Sequence, residues 1–385
     1  MHQTVRKIFL ALHLYLGLIS GIVVSIVCIT GCLYIFKDEI NDLRQPWKFV
    51  TAQQQEMLLP TQAIAIADQE IPEMKATAVT YGESTDAIMV DYIIWGQKAS
   101  HVYINPYDGE VLKVIHRKTG DFEFFSFILN GHRYLWLPRE IGRPVVGTCV
   151  ILFLITLVTG MMLWWPKYWS RKTIRRSFTI KKGSSFWRLN FDLHHVLGAY
   201  AMIILCMLCL TGLVWSFQWY STGLYYITSG GKELKPYTLP QSDTLQITKA
   251  LQEPLDKLYQ QLRQEEPGAK TLYIVLPYNE SAVFRVSLEH VRRSYYRTDN
   301  LFFDQYTLQP LEGSGPYAGK YKEASAPDKL RRMNLELHDG RIFGIWSKII
   351  VFLASLTGAS LPITGMLIWY KKRFSFRHRK LRATR

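Results

Sequence analysis

The chain has 385 residues, 48% of them hydrophobic and 14% aromatic, with a formal net charge of +15. The charge does not point to nucleic acid, because it is gathered into two acid-free clusters that each follow an apolar run. The length allows two or three compact units, and four long uncharged runs exclude an ordinary soluble domain.

Residues 8–36, 145–166, 193–220 and 349–370 contain no Lys, Arg, Asp or Glu. Each is long enough to cross about 30 Å of hydrocarbon, which takes about 20 helical residues. The start resembles a signal peptide, and Ile29-Thr30-Gly31-Cys32 resembles a lipoprotein cleavage box. The apolar run is too long for the core of such a signal, so a membrane helix is expected over 1–36.

The segment 37–144 is expected to be an external α+β domain. Thr61–Gln69 reads as a helix, and Asn105–Leu112 places an Asp108-Gly109 turn between strand-like residues, a hairpin signal. Residues 122–136, "FEFFSFILNGHRYLW", are too short and polar to span. They read as an amphipathic helix at the membrane surface that carries His132.

A second span at 145–166 leads to a basic loop, 167–188, with Lys167, Arg171, Lys172, Arg175, Arg176, Lys181 and Lys182. A third span is expected over 189–220 and a second α+β domain over 221–340. In that domain Thr244–Gln264 is a helical candidate and Asp304–Leu311 echoes the first hairpin. A fourth span, 341–370, precedes the tail 371–385 with Lys371, Lys372, Arg373, Arg377, Arg379, Lys380, Arg382 and Arg385. The positive-inside rule places loop, tail and both termini in the cytoplasm. The two α+β segments are then expected outside, in the periplasm if the protein is bacterial. All five cysteines fall in spans, so no disulfide framework is expected outside.

The halves resemble each other. Leu12-His13, Leu16-Gly17, Cys28 and Thr30-Gly31 match Leu193-His194, Leu197-Gly198, Cys209 and Thr211-Gly212 at one constant offset. Thr159-Gly160-Met161 with Trp164 answers Thr364-Gly365-Met366 with Trp369, and His132 and His338 precede these at similar distances. The expected fold is therefore a membrane α-helical one. It is a four-helix transmembrane bundle of two parallel repeats, each with a small periplasmic α+β domain.

The repeat singles out four of the ten histidines. His13 and His194 stand at one side of the membrane, His132 and His338 at the other. At about 3.6 residues per turn, His13, Gly17 and Gly31 share one helix face, as do His194, Gly198 and Gly212. Imidazoles above glycines leave room for a flat macrocycle, so each like-sided pair is expected to ligate a b-type haem, two per chain. Covalent attachment is excluded, since no Cys-x-x-Cys-His occurs. The competing reading is tight helix packing with interhelical hydrogen bonds. Zinc, which usually takes four ligands, is poorly served by two. His195 is an alternate ligand to His194. His2, His101, His116, His290 and His378 have no repeat partner and read as solvated. Arg133, Arg139, Arg143 and Arg341 near the outer pair, and Arg6, Lys7 and Arg188 near the inner, are candidate partners for haem carboxylates or simple interfacial cations.

"ALHLYLG…TG", "DLHHVLG…TG", "IGRPVVG…TGMMLWWP" and "LHDGRIFG…TGMLIWYKKR" resemble the four signatures of the PepSY-associated transmembrane family, and the hairpins resemble degenerate PepSY domains. Within it, the length and four-helix plan are similar to inner-membrane siderophore reductases of the FoxB and PiuB type. That resemblance implies b-type haem at His13, His132, His194 and His338, and reduction of ferric siderophores in the periplasm during iron uptake. His195 departs from the Arg or other residue that often follows the third histidine. No Gly-x-Gly-x-x-Gly is present, so a separate donor, a cytoplasmic reductase or quinol, is expected. Trp47, Trp95, Trp136, Tyr225, Tyr226, Tyr295 and Tyr296 are candidates for stacking on a chelate, or membrane anchors. The rival classes are a non-redox PepSY protein that binds or regulates a periplasmic peptidase, and a transporter of iron or siderophore.

Overall fold

The structure, a computed structural model, describes residues 3–166, 168–249 and 251–383, without the side chains of 248, 249 and 375–383. His2, Lys167 and Arg385, and the side chains of Arg377, His378, Arg379, Lys380 and Arg382, lie outside the described residues. Two compact units result. One holds the apolar helices; the other is built from 38–121 and 224–336.

The first unit contains the four expected long helices, Gln3–Tyr34, Arg139–Trp164, Phe186–Ser216 and Ile345–Phe374. Each begins before its uncharged run, because polar flanking residues continue the backbone hydrogen bonding. The first helix packs on the second and fourth, and the third packs on the same two. First and third therefore face each other across a diagonal. Hydroxyls inside the bundle donate to carbonyls of the preceding turn, as Ser20 does to Leu16 and Thr30 to Ile26. That satisfies them where water is absent. Val24, Phe153, Leu157, Ala201, Leu205, Cys209 and Ala354 form an apolar core. Ile22, Ile203, Leu353 and Ile363 are exposed on the outside of the helices, as lipid-facing positions require.

Two features were not expected from the sequence. Residues Leu193–Leu197 form one widened, π-helical turn. Gly21 lets Pro362 of the fourth helix approach so closely that a Cβ there would lie 2.9 Å from the proline Cβ. The aromatic stretch forms the helix Phe124–Tyr134 within this unit, and the Glu123 carboxylate caps its first turn by accepting from the backbone N–H of Phe125 and Ser126. Leu135 and Trp136 then turn back in left-handed conformation, and Trp136 folds over Gly131, where a Cβ would collide at 2.3 Å.

The second unit holds one antiparallel sheet of eight strands among the described residues, in the order β4-β3-β2-β1-β5-β6-β7-β8. The first loop supplies β1 (Ala78–Tyr81), β2 (Ile88–Ile94), β3 (Lys98–Ile104) and β4 (Val111–Lys118). The second supplies β5 (Thr271–Val275), β6 (Val283–Glu289), β7 (Asp299–Asp304) and β8 (Pro310–Leu311). The two separate α+β domains expected from the sequence are thus joined: β1 pairs with β5, with Val79 opposite Ile274. Two apolar edge strands cover each other, which removes an exposed edge from each half. Helices Pro60–Glu70 and Pro254–Glu265 contribute Ala63, Ala67, Leu258 and Leu262 to a core with Val79, Ile88, Val90, Leu272, Ile274 and Leu288. Both expected hairpins form. Asn105 N–H donates to Glu110 O at 2.8 Å, and Asp304 N–H to Gln309 O at 2.9 Å. Gly109 takes the left-handed turn position in the first, and Leu308 in the second.

Candidate functional site

Four imidazoles meet in two pairs, both within the helical unit. His13 on the first long helix faces His194 on the third, with ring centres 6.2 Å apart and planes crossed at 85°. His132, on the short helix Phe124–Tyr134, faces His338, on the helix Ala326–Asp339, at 6.1 Å and 67°. The edge of Trp215 closes on His338 at 5.3 Å.

Every one of the four rings rests on a Thr-Gly pair of a long helix. His13 Nδ1 lies 3.0 Å from Thr156 O and 3.4 Å from Thr159 Oγ1. His132 Nδ1 lies 2.9 Å from Val27 O and 3.4 Å from Thr30 Oγ1. His194 Nδ1 is 2.9 Å from Thr364 Oγ1, and His338 Nδ1 is 2.9 Å from Thr211 Oγ1. A carbonyl only accepts. The hydroxyls of Thr364 and Thr211 donate their own protons to Ser360 O and Met207 O, so toward the rings they accept. All four imidazoles therefore carry their proton on Nδ1 and keep the Nε2 lone pair bare, the neutral ligand form.

The glycine of each pair makes the room. A Cβ would stand 2.9 Å from His13 Cε1 at Gly160, 3.1 Å from His194 Cε1 at Gly365, and 3.2 Å from the Cε1 atoms of His132 and His338 at Gly31 and Gly212. So Gly31 and Gly212 serve the outer histidines, not the ones whose helix face they share. Residues eighteen apart in a helix share a face but are about 27 Å apart along the axis. Gly17 and Gly198 instead face Thr156 and Leu361 of neighbouring helices at 3.5 and 3.3 Å, a packing role. Gly160, Gly365 and the threonines are site residues that the sequence revealed only as repeated Thr-Gly pairs.

The spacing of each pair would suit one metal between its two imidazoles. With metal–nitrogen bonds of about 2.0 Å and roughly 1.1 Å from nitrogen to ring centre, such rings stand about 6 Å apart. Among the described residues no group of three or more His, Cys, Asp or Glu gathers to hold a metal ion. Zinc would want such a set. A porphyrin supplies the remaining four nitrogens itself and asks the protein for only the axial pair. Burial, aided for His338 by the adjacent His132, pushes the pKa of both outer imidazoles down, that of His338 to about 3. Burial thus disfavours the charged form of both.

Other expected residues take different places. His195 turns from the pair and stacks on Phe191 at 5.2 Å. Arg188 is bound to the buried Asp192 at 2.9 Å, and Arg341 to Asp339 at 2.7 Å. Arg133 lies over Tyr134 at 5.2 Å. Arg143 Nε is buried with no hydrogen-bond partner among the described residues. His101 and His290 are not simply solvated: they pair with Asp91 and Asp299 at 2.7 and 2.8 Å, and the His116 ring nitrogen lies 3.1 Å from the Ser100 hydroxyl. Of the aromatic candidates, Trp136 is folded on its own helix, Tyr225 donates to Asp328 and Tyr296 is buried. Trp95, Tyr226 and Tyr295 remain exposed.

Residues 10–372 match the family described as PepSY-associated TM region. No curated protein matches the chain.

Proposed function

The chain belongs to the PepSY-associated TM region family, and on that premise we propose that it is a di-haem electron carrier reducing ferric siderophores at the periplasmic face of a bacterial inner membrane. The observation that carries the reading is the matched geometry of two imidazole pairs, 6.2 and 6.1 Å between ring centres, at opposite ends of one bundle. We read the chain as two parallel repeats, each contributing one ligand to each pair. Both termini lie inside, as the acid-free basic clusters require.

Haem, when bound, supplies one-electron transfer. The protein does the rest. His13 and His194 would hold the inner group, and His132 and His338 the outer. The Thr-Gly seats fix ring orientation and tautomer, and Arg143, whose Nε is unpaired among the described residues, would offer a cation to a haem carboxylate. Groups held by both pairs would supply redox chemistry at each side of a layer about 30 Å thick. A separate cytoplasmic reductase or quinol is the donor. At the outer face, the electron converts Fe(III) to Fe(II), which hard oxygen chelators hold less tightly.

Absorption spectra of the purified protein, oxidised and dithionite-reduced, with haem quantitation, test the proposal. Close to two low-spin haems per chain are expected. Colourless protein from haem-replete cells would end the haem reading. Fully loaded, pre-reduced protein that leaves ferric siderophores untouched would remove the reductase activity alone.

A further inference from the structure

The sheet has one face covered by Pro60–Glu70 and Pro254–Glu265, and successive side chains alternate between that face and the other. On the other face, β5, β6 and β7 set out two cross-strand rows. Tyr273, Ser287 and Asn300 form one row; Val275, Arg285 and Phe302 form the next. Ser287 donates to Asn300 at 2.8 Å, which settles the first row's small polar groups. The Arg285 guanidinium and the Tyr273 hydroxyl make no hydrogen bond or ion pair among the described residues.

Tyr237 closes the space from the side. Its segment is tied to the β8 end of the sheet, since the Ser314 hydroxyl donates to Pro236 O at 2.7 Å and lies 2.7 Å from Thr238 Oγ1. Gly315, in left-handed conformation, lets this strap pass: a Cβ there would meet Tyr237 Cα at 2.9 Å. The Tyr237 ring lies 6.3 Å from Phe302, and its hydroxyl, too, has no hydrogen-bond partner among the described residues. Between strap and sheet lies a cavity of about 140 Å³ lined by these residues. A cavity of about 150 Å³ accommodates one benzene ring.

The other half of the sheet shows what a satisfied version looks like. There Ala78, Asp91 and His101 form one row, and His101 bonds Asp91 at 2.7 Å. In the β5–β7 half the corresponding cation, Arg285, makes no ion pair among the described residues; Asp91 lies in the same row, beyond Ala78 and Val275. Burial raises the pKa of Tyr237 and Tyr273, with the Asp91 carboxylate adding to it at Tyr273 and Arg285 opposing it at both, so both phenols stay protonated.

We propose that this cavity binds a single-ring aromatic carboxylate, its ring beside Val275 and the exposed Tyr237 ring and its carboxylate taken by Arg285 with the phenols of Tyr237 and Tyr273. A planar carboxylate matches the guanidinium fork, and Val275 with the two tyrosine rings beside it favours a ring-bearing carboxylate over phosphate or sulfate. The assignment is independent of haem.

Salicylate is the probe, titrated calorimetrically into the full-length protein in detergent or nanodiscs. Binding is expected in the wild type, with affinity reduced at least tenfold in Arg285→Met, partly retained in Arg285→Lys, and reduced several-fold in Tyr237→Phe. Salicylamide, which has the ring but not the charge, is expected to bind at least tenfold more weakly. Wild-type protein that does not bind salicylate at millimolar concentration would overturn the proposal. So would Arg285→Met and Tyr237→Phe proteins that bind it as well as the wild type. If Arg285→Met does not fold, the Lys and Phe variants decide by the same readings.

Discussion

At the scale of single residues, each imidazole is aimed by a threonine and accommodated by a glycine. The two hydroxyl-seated rings, His194 on Thr364 and His338 on Thr211, give the sharpest test. Thr364→Val and Thr211→Val keep shape but remove the acceptor from Nδ1–H. Loss of such an outer-shell partner typically costs about 10–100-fold in metal affinity. Haem loss is expected from the inner centre with the first variant and the outer with the second, measured by transfer to apomyoglobin. Gly365→Val is expected to do more, since its Cβ alone would lie 3.1 Å from His194 Cε1 and would press the ring off its seat. It should lower inner-haem content by at least half, read from the pyridine haemochrome.

At the scale of elements, the junction of β1 and β5 holds the sheet as one body. Val79 pairs with Val90 on one side and Ile274 on the other. Val79→Pro removes a ladder bond from an internal strand, where proline is essentially not found. Faster proteolysis within 38–121 and 224–336 is the expected result. The β7–β8 turn carries the clearest acid dependence. Burial opposes ionisation of Asp304. The backbone N–H groups of Asp243, Thr307 and Tyr306, with the Thr307 hydroxyl, outweigh it and hold the pKa below the ordinary carboxylate value. A group depressed in the folded state stabilises above its unfolded pKa, about 3.9, and loses that contribution as pH falls through the lower folded value. Asp304→Asn is expected to lower stability at neutral pH and to flatten the acid limb below about pH 4, followed by circular dichroism melting.

At the scale of the whole molecule, the apolar core with Val24, Phe153, Leu157 and Leu205 belongs to the middle of the bundle, and the imidazole pairs belong to its ends. The two imidazole pairs share no residue. Replacing His13 or His194 by Ala is expected to leave about half the haem with an intact low-spin spectrum, and the same holds for His132 or His338. Loss of both from one correctly folded variant would mean that the ends do not load independently.

The positions of the four long helices, the hairpins at Asp108-Gly109 and Asp304–Leu311, and the grouping of four histidines into two pairs were all legible in the linear chain. Hydropathy, turn chemistry and internal repetition act over short distances and leave their mark in order. Three things were decided only in three dimensions. Which glycine serves which histidine depends on neighbouring helices, so Gly31 went to His132 and not to His13. His194 was separated from His195 by the widened turn over Leu193–Leu197 and by stacking on Phe191. Two loops far apart in sequence became one sheet because the edge of each offered backbone hydrogen bonds to the other. Local periodicity says which way a side chain points; only packing says what it meets.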